Sequence, residues 1–250
     1  MPFPIALQPF TIRDELDRDY LGAFERVAQI GYAAVEIGSP PAGIAVADMK
    51  ARFDRIGLQV ISAHAGLEQL TDGLDALADF LKLFDAKYAV LSHRFDTREE
   101  VLESAALFNR IGEACRARGL QFLYHNHDWE FVRFGEETAL DLLLRETDPE
   151  LVKMELDVYW AQKGGVDPAA YLRGLRGRCP LLHVKDMEPG EERFFAEVGE
   201  GILDFGDILK AAEEAGTEWL VVEQDHCRRP VFECIETSYR NLQRMGAVRE

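Results

Sequence analysis

Four short runs hold much of the ionisable chemistry of this 250-residue chain. Residues 124–128 read YHNHD, 154–160 read MELDVYW, 181–187 read LLHVKDM and 221–225 read VVEQD. Each run sets two ionisable side chains two positions apart: His125 with His127, Glu155 with Asp157, His183 with Lys185, and Glu223 with Asp225. In an extended chain such pairs share a face. If that face is an interior, carboxylates and imidazoles converge there, and buried like charges must be neutralised. A divalent cation does this directly, with Lys185 assisting. Mixed imidazole and carboxylate without thiolate suits Mn, Fe, Co, Mg or Zn. The alternative is a salt-bridged core that binds no metal. Glu36, His64, His93 and Arg94 add polar residues near the ends of other apolar runs.

The elements that must position these residues are legible as an alternation. Eight β-branched or aromatic-rich runs read as strands, at residues 5–10, 33–37, 59–65, 88–93, 121–127, 152–158, 181–187 and 219–225. Amphipathic stretches separate them. Leu21, Phe24, Val27 and Ile30, and later Leu102, Ala105, Phe108 and Ile111, recur at helical spacing and read as core-facing stripes. Gly31, Gly57, Gly119 and Gly216 stand where helices give way to strands. Strands separated by helices imply parallel pairing. Eight repeats without a composition break predict one (β/α)8 TIM barrel, a single α/β domain over residues 1–250 and close to the length usual for that fold. An open doubly wound sheet is disfavoured, because no GxGxxG or GxxxxGK[ST] follows an early strand; the Gly199–Gly201 GEG is too short to cradle a phosphate.

In a barrel of this kind, function collects at the carboxyl ends of the strands, which is where the four polar runs fall. Composition narrows the class further. A 47% hydrophobic content supports a large core, and no apolar run is long enough for a membrane span. The net charge of -17 repels polyphosphate backbones and argues against nucleic acid. The N-terminal sequence lacks the pattern of a signal peptide, and Cys115, Cys179, Cys227 and Cys234 form no CxxC. The expectation is a cytoplasmic protein with reduced thiols, no membrane partner and a small-molecule substrate.

Together, GYAAVEIG, ISAHAGL, YHNHDWEF, DPELVKMELDVYW, HVKDM, VGEGILDF and VVEQD make nearly the whole chain resemble the xylose isomerase-like barrel superfamily. That group includes sugar-phosphate isomerases and epimerases, ketose 3-epimerases, inosose dehydratases and endonuclease IV-type repair enzymes. The resemblance implies a metal held by one residue from each of the last four strands: His125, Asp157, His183 and Glu223. The first of these places is commonly Glu. His125 there removes one of the two carboxylates that exchange protons in the ketose epimerases. Trp160 stands where the repair enzymes carry a further metal-binding histidine, which argues against a trinuclear DNA site.

A divalent ion that polarises a carbonyl makes the neighbouring C–H acidic, and a positioned base removes the proton. Return of the proton gives isomerisation or epimerisation; loss of a β-hydroxyl gives dehydration. The main expectation is a metal-dependent isomerase or epimerase acting on a small keto-sugar or cyclitol. The alternatives are a dehydratase or lyase of the inosose type, and a non-catalytic sugar-binding barrel. Glu223 and Lys185 are the first choices for acid and base. A lysine beside a metal can have a lowered pKa, or it can simply neutralise a carboxylate such as Glu155. His64, His127, Glu130 and Trp160 are the candidates for holding substrate, with Glu36, Glu130 and His127 as reserve bases. Trp129 and Trp160 offer apolar faces to a sugar ring. Arg94, Arg228 and Arg229 could meet an anionic group, but without a phosphate cradle an unphosphorylated substrate is favoured. Barrels of this type often form homodimers, and no segment marks an interface.

Overall fold

A computed structural model describes residues 2–249. Eight strands, β1 (Ile5–Leu7), β2 (Ala34–Glu36), β3 (Gln59–His64), β4 (Tyr88–Leu91), β5 (Gln121–His125), β6 (Val152–Asp157), β7 (Leu181–Val184) and β8 (Trp219–Val222), close into one ring in which every neighbour pair is parallel. Eight main helices, α1 (Tyr20–Ile30), α2 (Val46–Ile56), α3 (Leu74–Leu83), α4 (Arg98–Ala117), α5 (Ala139–Glu146), α6 (Pro168–Gly174), α7 (Phe205–Ala215) and α8 (Val231–Arg244), each follow one strand. The expected (β/α)8 barrel is the fold observed.

The expected strands run past the observed ones at the mouth. Leu7 ends β1, because Gln8 turns the chain into a 3-10 turn over Pro9–Ile12, its side chain accepting from the Phe10 N–H. β7 stops at Val184 and β8 at Val222, so Lys185, Glu223 and Asp225 extend from strand tips instead of lying within the ladder.

Period-two alternation divides each strand between two cores. Phe122 and Tyr124 in β5, Met154 and Leu156 in β6, Leu182 and Val184 in β7, and Leu220 and Val222 in β8 join the outer core under the helices. The opposite positions line the barrel. Ala6, Ala34, Ile61, Tyr88, Val90, Leu123, Leu181 and Val221 form a separate apolar plug. Two residues beyond Ala34, Leu123, Leu181 and Val221 stand Glu36, His125, His183 and Glu223, so a polar layer sits directly on the plug. Register brings that layer together: His125 pairs with Glu155, Asp157 with His183 and Glu36 with Ser62.

Helix ends use ordinary capping chemistry. Asp19, Thr97, Thr138, Asp167 and Asp204 cap their helices through side-chain oxygens, and Gly57 and Gly216 end α2 and α7 in the left-handed region. The GEG segment also has a structural use. Its backbone wraps the fully buried Asp186, whose Oδ2 accepts from the Gly199 and Gly201 N–H groups at 3.0 Å and whose Oδ1 accepts from Met187 and Leu203 at 2.8 and 3.0 Å. A Cβ at Gly201 would lie 2.3 Å from Asp186 Oδ1 and 2.4 Å from the Met187 carbonyl. This nest fixes the segment that follows Lys185. Replacing Asp186 by Ala strands four N–H groups and is expected to cost about 3 kcal/mol. Chemical denaturation should show that loss; an unchanged midpoint would contradict the role given to the nest.

Candidate metal centre

The polar layer on the plug is a connected cluster. Glu36, Glu155, Asp157, His183 and Lys185 are essentially sealed from solvent, and His125 and Glu223 nearly so. His183 joins its two halves. Its Nε2 lies 2.7 Å from Glu36 Oε2 and 3.2 Å from Glu155 Oε2; its Nδ1 lies 3.2 Å from Glu223 Oε2 and 3.9 Å from Asp157 Oδ2. Lys185 Nζ stands 3.0 Å from Asp157, 2.5 Å from Glu223 and 2.8 Å from Asp225. Glu36 is braced from behind by the Ser62 hydroxyl and by Gln8 at 3.3 Å.

One ligand atom from each of His125, Asp157, His183 and Glu223 falls within 4.8 Å of the others, so the expected four residues do converge. The donor set fits a divalent ion. Asp157 Oδ2 and both oxygens of Glu155 are buried and have no aligned hydrogen-bond partner, although cationic or imidazole nitrogens stand close by. Buried oxygens left in this state are suited to a cation. The hydrogen bond from His183 Nε2 to Glu36 also matches the outer-shell carboxylate that commonly orients a metal-bound histidine, leaving Nδ1 for the ion.

Protein groups alone balance the carboxylates with protons. Burial opposes the charged form of His64, but Glu155 and then Glu36 outweigh it and raise its pKa to about 10. Burial likewise works against Lys185, and Asp157, Glu223 and Asp225 overcome it, holding the ammonium well above its ordinary value. Among protein groups alone, Lys185 is thus a held cation that neutralises carboxylates, the second of the two roles expected of it. The carboxylates it meets are Asp157, Glu223 and Asp225 in place of Glu155.

The remaining expected residues divide. His64 reaches the cluster from β3, with Nε2 2.9 Å from Glu155 Oε2, and its side chain stays 31% exposed toward the mouth. His127 and Trp160 form a wall with Trp129: His127 stacks on Trp129 at 4.0 Å and lies 5.4 Å from Trp160. Burial, then the charge of Lys185, lowers the pKa of His127 to about 3, so it is a neutral ring. Glu130 does not face the mouth. It is fully buried, with Oε1 2.7 Å from the Tyr124 hydroxyl and Oε2 accepting from the His127 N–H at 2.8 Å. It anchors the loop that carries His127, and the expected substrate contact is corrected on that ground. His93 packs against Phe95 and Phe108, away from the cluster. Arg228 and Arg229 are already paired, with Glu188 and Glu192 and with Glu197 and Glu200. The sequence reading had Glu36 as a reserve base and Glu155 among the converging carboxylates, but named neither among the residues that hold the ion. Their signal was a carboxylate at an interior position of a strand, with apolar residues on either side of it.

Comparison with known proteins agrees with this architecture. The family model described as xylose isomerase-like TIM barrel matches residues 24–241. An inosose dehydratase of Geobacillus kaustophilus is 25% identical over 280 aligned positions, covering 90% of this chain and 88% of that protein. A sugar phosphate isomerase/epimerase of Parabacteroides distasonis superposes with a TM-score of 0.84 at 28% identity, covering 98% of this chain and 95% of the other. The IolI protein, solved with a zinc atom, shares the fold at 14% identity, with a TM-score of 0.75 and coverage of 97% and 98%. No helix among the described residues is long and apolar enough to cross a membrane.

Asp157 Oδ1 also accepts from the Trp160 N–H at 2.9 Å and so caps the helix Val158–Lys163. Asp157→Asn keeps an acceptor there, so it tests ligation without removing the cap. Asp157→Asn and His183→Ala are each expected to weaken Zn or Mn binding at this centre more than about 100-fold, exceeding the usual outer-shell effect, with circular dichroism unchanged. Retention of wild-type affinity in either variant would overturn the ligand assignment.

Burial pushes the Glu130 carboxyl up to about 7 from its ordinary 4.5. An acid whose pKa is raised by folding prefers its protonated form in the native state. Stability is therefore expected to fall by up to about 3 kcal/mol as pH rises from 4.5 through 7, and to level off above. Glu130→Gln mimics the neutral form and should remove that slope. Urea unfolding at pH 5 and 8 decides the matter; equal differences between variant and wild type at both values would count against it.

Proposed function

The chain belongs to the xylose isomerase-like TIM barrel family, and from that premise we propose that it is a metal-dependent dehydratase acting on a keto-cyclitol or closely related keto-sugar. The observation that carries this reading is the contact between Glu223 and Lys185, at 2.5 Å. It sets a carboxylate base and an ammonium acid side by side. Two-base epimerisation calls for a second carboxylate on the other side of the substrate, and His125 stands where that group would be. An elimination that removes proton and hydroxyl from one side needs only the adjacent pair. Relatives that include the Geobacillus inosose dehydratase support the same choice, so the isomerase expectation gives way to the alternative.

Asp157, His183 and Glu223 with His125 would hold a divalent ion, which when bound would supply Lewis-acid polarisation of the substrate carbonyl. Glu223 takes the proton from the carbon next to that carbonyl. The C–H electron pair forms the new double bond as the C–O bond to the β-hydroxyl breaks. Lys185 delivers a proton to the departing oxygen, which leaves as water. Hydroxide is basic enough for this even from a lysine whose pKa is raised, because water itself ionises near 15.7. Glu223 then returns its proton to Lys185 across their direct contact. His127, Trp129 and Trp160 present an apolar wall to the C–H-bearing face of the ring. His64, exposed at the edge of the cluster, is placed to meet a substrate hydroxyl.

Incubation of the metal-loaded protein with 2-keto-myo-inositol should yield an enone, seen as a new ultraviolet band, with loss of one water by mass. Glu223→Gln should lower kcat by at least about 100-fold, the usual scale of general-base catalysis. Incorporation of solvent deuterium without elimination would instead identify an isomerase or epimerase.

A further inference from the structure

We propose that the barrel holds a second divalent cation below the first, ligated by His64 Nε2, His125 Nδ1 and Glu155. His64 Nε2 lies 2.9 Å and His125 Nδ1 3.0 Å from Glu155 Oε2. With His183, these residues form a second group whose ligand atoms all lie within 4.8 Å of one another. The spacing is near the edge of about 3.4 Å expected between ligands of a tetrahedral ion with metal–nitrogen bonds of about 2.1 Å. His64 Nε2, His125 Nδ1 and both Glu155 oxygens are buried, yet none has an aligned hydrogen-bond partner among the described residues. Glu155 is fully buried and His125 is 3% exposed. A carboxylate sealed among imidazoles without a proper hydrogen bond is costly unless a cation completes the set.

A ring nitrogen binds one metal, so His125 and His183, which occur in both groups, must be divided. The geometry divides them. His183 gives Nε2 to Glu36 at 2.7 Å and turns Nδ1 to Asp157 and Glu223. His125 turns Nδ1 to Glu155. The upper ion then keeps Asp157, His183 and Glu223, three protein ligands with positions open for substrate, as catalytic sites commonly do. The lower ion takes His64, His125 and Glu155, with Glu36, 3.5 Å from His64 Nε2, at hand as a fourth ligand.

Charge points the same way. Glu36, Glu155, Asp157, Glu223 and Asp225 gather five negative charges, and the one lysine reaches only Asp157, Glu223 and Asp225, while Glu36 and Glu155 meet His183. With neutral imidazoles, the four charges left over equal those of two divalent ions. The division also gives His125 a use at the place where related barrels commonly carry Glu: an imidazole reaches the lower ion and leaves the upper one its open face.

The inference keeps the upper ion of the proposed function, transfers His125 from it to the lower ion, and does not depend on which reaction the upper ion serves. The full-length protein, stripped with a chelator, is titrated with Co²⁺, following heat and visible absorption. Two equivalents are expected for the wild type. One is expected for His64→Ala and for His64→Gln, and one for Asp157→Asn, with distinct spectra because the surviving ion has different ligands. Circular dichroism verifies the fold of each variant. A single equivalent in the wild type, or two retained in both His64 variants, overturns the two-ion centre. If that single equivalent survives Asp157→Asn, the upper ion is the one that fails; if it is lost there, the upper ion stands alone.

Discussion

The physical constraint behind this protein is the enclosure of several carboxylates within a closed barrel. Glu36, Glu155 and Asp157 have almost no contact with water, and Glu223 has little. Unscreened like charges at that depth would open the barrel, so everything nearby acts to compensate them. Lys185 sits among three carboxylates, His183 bridges the two halves of the cluster, and Ser62 and Gln8 brace Glu36. A protein that needed only stability would fill this space with apolar side chains. Retention of so many acids there is the strongest physical reason to see a centre that handles cations.

The rest of the fold can be understood as support for that enclosure. The outer core fixes the strands through Phe122, Tyr124, Met154 and Leu156, and their alternation aims His125, Glu155 and Asp157 inward. Asp186, next to Lys185 in sequence, is seized by four backbone N–H groups and points away from the cluster's carboxylates. Successive residues, Lys185 and Asp186, thus serve opposite purposes: one charge is placed in the centre and the other is used to hold the loop that carries it. Glu130 acts similarly for His127, from beneath the aromatic wall.

Much of this was legible beforehand because strands and helices carry different periods. Eight apolar runs with glycine-ended helices between them specified the barrel, and residues two apart in 152–157 and 181–185 specified which side chains shared its interior. Three things were not legible. Strand ends at the mouth were overrun, because polar tip residues such as Lys185 and Glu223 follow the last ladder residue with no turn residue between. Glu130 looked like a loop carboxylate, since nothing local signals that Tyr124, six residues earlier, will bury it. The contacts of Glu36 and Glu155 with His183 were missed because they depend on strand order and register across the ring, which are long-range properties.

The apolar plug formed by Ala6, Ala34, Leu123, Leu181, Val221 and their neighbours has a kinetic consequence. It makes the barrel a cul-de-sac, with one doorway shared by every guest. Whatever settles deepest has to arrive first and depart last. Substrate, resting nearest the doorway, would then trap what lies behind it. Occupancy in such a vessel follows the order of a stack, so the history of loading matters as much as the strength of each attachment.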